Sequence, residues 1–84
     1  MLILNQKKNV LINLDRVISI WIDDKTCSIR CRYSGDDNNI ITLGMYHSLS
    51  EVRKAFDIIL ININHGASNI ITTPVDTSYI EEET

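Results

Sequence analysis

The apolar positions of this chain change period once, and the change separates a strand-rich first part from a single helix. From Ser48 to Gly66 the period is helical: Leu49, Val52, Ala55, Phe56, Ile59, Leu60 and Ile63 gather on one side, with Ser50, Arg53, Asp57 and Asn64 on the other. Both ends of this segment carry stop signals. Ser48-Leu49-Ser50-Glu51 is a capping box, in which the Ser48 hydroxyl accepts from the Glu51 amide while the Glu51 carboxylate reaches back. Gly66 follows the last periodic residue and suits the left-handed conformation that ends helices, with His65 in the final turn. Ile58 and Ile61 do not fit the stripe. They project among Lys54, Glu51 and His65, on the side that should meet water, so the helix is either buried on two sides or has a partner.

Before the helix the period is that of strands. Leu2 to Leu4 and Val10 to Leu14 flank a polar interval of hairpin length; the second of these is apolar on both faces and fits a central position. Asp15-Arg16 makes a tight link or bulge into Val17 to Asp23. A turn at Asp24-Lys25 then sets Ile18 against Cys31, Ile20 against Ile29 and Ile22 against Cys27 on the inner side. On the outer side the same register pairs Val17 with Arg32, Ser19 with Arg30 and Trp21 with Ser28. Ser34 to Asn38 is a turn, Asn39 to Leu43 a fifth strand, and Gly44 its end or a bulge. After the helix, Asn69 to Thr73 is a short strand-like stretch that Pro74 confines to an edge. The expected architecture is α+β: an antiparallel five- or six-stranded bent sheet or small roll, closed by one C-terminal helix. The pattern divides into one domain over residues 1–74 and an acidic, frayed tail over 75–84.

Eighty-four residues suffice for one domain, which buries about 60 to 65% of its unfolded surface, so oligomerisation would add to a modest stability. A net charge of −3 and a pI near 5.1, with dispersed basic residues, argue against a binder of duplex nucleic acid. No apolar run approaches the roughly 20 residues of a membrane span, and the apolar start Met1 to Leu4 is too short for a signal peptide. Cys27 and Cys31, read as one strand, lie about 13 Å apart and cannot bridge. Both read as buried free thiols, which fits a reducing compartment, and the expected location is the cytoplasm.

The pattern holds no catalytic, metal or cofactor constellation, and the expectation is a protein that is not an enzyme. His47 and His65 bracket the helix about 27 Å apart and cannot ligate one metal within a monomer. Asp23-Asp24 and Asp36-Asp37 read as turn residues without EF-hand spacing. Gly35, Gly44 and Gly66 are too scattered for a phosphate loop. Neither Cys27, Cys31 nor Ser48 has a histidine set beside it by local geometry. The candidates are instead contact residues. Trp21, Arg30 and Arg32 project together from the central hairpin, and Trp and Arg are enriched at binding hot spots. Lys54, Ile58 and Ile61 form a second candidate surface, for self-association.

The succession of Asn5-Gln6, Ile12-Asn13-Leu14-Asp15, Leu43-Gly44, Tyr46, Ser48 and the helix positions Val52, Ala55 and Ile59 resembles a family of short, largely uncharacterised proteins of low-GC Gram-positive bacteria and their phages. The resemblance covers roughly residues 1 to 64 and rests on turn and core positions. It implies a PH-like small roll and an association with phages or mobile elements. It assigns no catalytic residue. The expected function is therefore a homo-oligomeric interaction module that binds a protein; in one version the partner is a host defence protein and the acidic tail imitates phosphate. The alternative is a sponge that holds a small anionic nucleotide signal between protomers through Arg30, Arg32 or Lys54.

Overall fold

A computed structural model describes residues 1–35, 39–66 and 69–76. Six strands and one long helix follow in the order β1 (Leu2–Leu4), β2 (Leu11–Asn13), β3 (Val17–Asp23), β4 (Ser28–Tyr33), β5 (Ile40–Met45), α1 (Leu49–His65) and β6 (Ile70–Thr72). The strands form two three-stranded sheets, ordered β2-β1-β6 and β3-β4-β5, so the fold is an α+β roll that does not close into a barrel. Helix α1 contacts β3, β4 and β6 and thereby spans both sheets.

The first sheet is organised by one residue of each strand. Ile3 pairs with Ile12 on one side and with Ile71 on the other, and all three are buried, so a single row of isoleucines fills its inner face. Each contributes about 1.5–3 kcal/mol by leaving water. The connection between β1 and β2 is built on Asn5. Its buried side chain accepts from the Asn9 and Val10 amides at 2.9 and 3.0 Å, while Lys8 takes a positive φ of 62°. β1 is central, and not β2, for which the apolar stretch Val10 to Leu14 suggested that place. The helix carries the chain across the molecule, so β6 enters beside β1 in the parallel sense that such a crossover permits. Pro74 follows β6, which lies at the sheet's edge as its missing donor requires.

In the second sheet the observed register differs from the expected one by two residues. Trp21 pairs with Arg30, Ile20 with Cys31, Ile22 with Ile29, Ser19 with Arg32 and Asp23 with Ser28. The cause is the turn, which takes up Asp24, Lys25, Thr26 and Cys27: Asp23 Oδ1 accepts from the Lys25 amide at 3.1 Å, and Cys27 adopts a φ of 50°. Cys27 therefore lies in the turn and is only half-buried, while Cys31 is in β4 and fully buried; both are free thiols. Ile18 does not meet Cys31. It is the extra residue of a bulge between the Val17–Tyr33 and Ser19–Arg32 pairs, and it is 66% exposed. Asn13 caps a 3-10 turn, Leu14–Arg16, that joins β2 to β3 where a tight link was expected.

β5 runs two residues beyond the expected end. Its pairing with β4 shifts between Ile29–Gly44 and Arg30–Thr42, which sets a bulge beside Gly44. A Cβ at Gly44 would lie 2.9 Å from Tyr46 Oη and 3.2 Å from Thr73 Cγ2, so the absence of a side chain lets the tyrosine fold back over the strand. The helix has the expected limits: Ser48 accepts from the Glu51 amide at 3.2 Å, and Gly66, at φ 60°, donates to Asn62. Val52, Ala55 and Ile59 are buried, with Phe56 and Ile63 packed against the core. Leu49 and Leu60, at the border of the stripe, are more exposed than the pattern implied.

Candidate functional site

The outer face of the β3–β4 pair carries the first candidate cluster. Side chains two apart on a strand share a face, so the two-residue change of register leaves Trp21, Arg30 and Arg32 together while altering who faces whom. Trp21 stands directly opposite Arg30 instead of diagonal to it, and Arg32 opposite Ser19. Arg30 is half-buried, its Nη1 lies 3.5 Å from Asp23 Oδ2, and its Nε is buried without an acceptor among the described residues. Arg32 is exposed. The cluster thus offers an aromatic plane, one guanidinium held by a carboxylate and one pointing into solvent.

The second cluster lies on α1. Ile58 and Ile61 are 45% and 53% exposed, on the helix flank turned away from Val52, Ala55 and Ile59. Lys54 shares this flank and reaches Glu51 at 3.7 Å. The structure leaves the two isoleucines in solvent, as the wheel required, and the helix core is one-sided.

A third group was not anticipated. Asp76, assigned by the sequence to a frayed tail, is 1% exposed. Its Oδ2 accepts from the His47 amide at 2.7 Å and meets His47 Nδ1 at 2.8 Å. Tyr46 stands beside it and donates its hydroxyl to the Pro74 carbonyl. Burial, and then the negative charge of Asp76, push the Tyr46 hydroxyl well above the ordinary tyrosine range. Residues 74–76 are thus fastened to the turn that precedes α1, and the domain extends at least to Asp76. The His47 side chain, held through Nδ1 by this buried carboxylate, is itself half-exposed. The signal for this group was weak in the sequence, because the two partners stand 29 positions apart and no local period links them.

His65 is exposed at the end of the helix. Among the described residues no group of three or more His, Cys, Asp or Glu side chains could hold a metal ion. Asp36 and Asp37, and Glu81 to Glu83 of the tail, lie outside the described residues. No helix is long and apolar enough to cross a membrane. Burial pushes the Cys31 thiol up, partly offset by a backbone hydrogen bond from Ile41. Compared with family models, curated proteins and solved structures, the chain matches none of them.

Proposed function

We propose that this protein is a non-enzymatic interaction module that associates with itself through Lys54, Ile58 and Ile61 and meets a protein partner through Trp21, Arg30 and Arg32. The observation that carries the reading is the exposure of Ile58 and Ile61 on a helix that already has a complete core face. Two large apolar side chains one turn apart lie close enough to be covered by one contact, and burying each contributes about 1.5–3 kcal/mol. A two-fold contact would pair the same flank of two helices. The Trp21 face supplies the residue types that anchor protein contacts. The resemblance to phage-associated proteins gives a partner class, a host defence protein.

Arg30 favours a second reading. An Nε that is buried without an acceptor, next to an exposed Arg32, suits an anionic nucleotide bound between protomers. That reading expects a rise in melting temperature with added nucleotide, lost in Arg30→Ala.

Affinity capture from host extract separates the two. The interaction reading expects a specific protein held by the wild type and lost in Trp21→Ala, with the variant still folded and of unchanged mass. Capture that is equal in Trp21→Ala and Arg32→Glu would overturn it.

A further inference from the structure

The seam between the two sheets is fastened at one end and open at the other. At the closed end Gln6 acts as a short piece of strand. Its amide donates to the Leu43 carbonyl at 2.6 Å. Its side-chain amide donates to the Met45 carbonyl at 3.0 Å while its side-chain oxygen accepts from the Met45 amide at 2.9 Å. One carboxamide therefore satisfies the donor and acceptor of Met45 just as a neighbouring strand would. Towards the other end β2 and β5 diverge. Among the described residues no backbone hydrogen bond joins Leu11–Asn13 to Ile40–Thr42. A cavity of about 320 Å³ opens there, lined by Val10, Leu11, Ile12, Arg16, Tyr33 and Ile41 together with Asn13.

The four sheet edges are not alike. β6 is followed by Pro74, and β3 is broken by the Ile18 bulge and ends in Asp23, with Asp24 next to it in the turn. Proline, bulges and charge are the means by which edges avoid pairing with other chains. β2 (Leu-Ile-Asn) and the open half of β5 (Ile-Ile-Thr) have no charge and no proline, and these are the edges that flank the seam. Arg16 stands at its rim, exposed, and takes no part in the ion pairs formed among the described residues, Arg30–Asp23, His47–Asp76 and Lys54–Glu51.

We propose that the seam is a strand-docking slot, whose occupant is an extended segment of another protein, apolar at alternate positions and carrying a carboxylate for Arg16. Such a segment continues beyond Gln6 the pairing that Gln6 begins. Main-chain hydrogen bonds to an unpaired edge supply affinity, the apolar lining receives every second side chain, and Arg16 fixes the register by pairing with the acid. None of Trp21, Arg30, Arg32, Ile58 and Ile61 lines the slot, but its β5 edge pairs Thr42 with Arg30 and Ile40 with Arg32, so Arg16→Glu is the variant that distinguishes it from the Trp21 face.

The probe is a display library of random octapeptides selected on the whole protein. The expected winners alternate apolar residues and contain Asp or Glu. Titrated into labelled protein, they shift the amides of residues 11–13 and 40–42. They bind at least tenfold more weakly to Arg16→Glu and to Leu11→Asp, both changes of exposed side chains that leave the core intact, as circular dichroism would check. A segment held between β2 and β5 turns alternate peptide N–H groups to each edge, so N-methylation of the peptide at either alternate set weakens binding. The proposal is overturned if no peptide is enriched over the Arg16→Glu protein, if the shifted amides lie elsewhere, or if neither methylation set weakens binding. It is also overturned if the amides of 40–42 are already protected by a second copy, which would give the slot to the chain itself.

Discussion

Asp76 shows how a single residue sets the limit of the domain. It is a buried carboxylate whose Oδ2 accepts from the His47 amide and meets the His47 ring, so its removal takes an acceptor from both next to the start of the helix. Asp76→Ala is expected to cost about 2–3 kcal/mol in urea unfolding, and the double variant with His47→Ala should lose less than the sum of the single losses. Tyr46, beside Asp76, and Cys31, in β4, make the core sensitive to alkali. Both are held neutral in the folded chain, Tyr46 by burial and the Asp76 charge and Cys31 by burial, so the unfolded chain releases these protons first. Their contribution is complete below the ordinary values of 9.0 and 10.0 and declines as pH rises past them. Stability should therefore fall above about pH 9, with a shallower decline in Cys31→Ala and in Tyr46→Phe; equal slopes in all three proteins would contradict this. Of the candidate site, the Trp21, Arg30 and Arg32 face was legible because a strand's period is two. Neither the Trp21–Arg30 opposition nor the His47–Asp76 pair was legible, since each depends on a turn or crossover that brings distant residues together.

At the level of elements, the helix was the most legible, because its limits are fixed by local chemistry. The Ser48 hydroxyl and the φ of 60° at Gly66 are set within one turn of each end. Ser48→Ala should cost about 1 kcal/mol, as should Gly66→Ala, the first by losing an acceptor for the Glu51 amide and the second by placing a Cβ in a left-handed conformation. Thermal unfolding reads both, and a shift near zero in Ser48→Ala would mean that the cap contributes nothing. The β3–β4 hairpin was half legible. Its faces followed from alternation, but its register depended on whether two or four residues form the turn. Cys27 was the deceptive residue: its apolar character continues the alternation, yet its carbonyl accepts from the Tyr46 amide at 2.9 Å and it belongs to the turn. Ile18 deceived in the same way, since nothing local marks a bulge that turns an isoleucine into solvent. The edge position of β2 was masked by its composition; its outer Leu11, 51% exposed, looks like a residue of a central strand.

At the scale of the whole molecule, the tethers of the roll include the Gln6 strap between the sheets, the Asp76 anchor, and α1 laid over both. The class of fold was readable from a run of strands and one helix, whereas the division into two sheets and the parallel β1–β6 pair were not, because they depend on where the helix returns the chain. What the intramolecular contacts leave exposed is what the protein offers to others. Ile58 and Ile61 belong to a helix whose own core is complete, and they lie on the opposite side from it, which is the ground for the proposed self-association. The mass in solution tests this directly. Light scattering on the wild type should give a multiple of 9.6 kDa, and on a folded Ile58→Asp variant 9.6 kDa itself. A wild type that scatters as a monomer at high concentration, or an assembly that survives Ile58→Asp unchanged, would contradict the account.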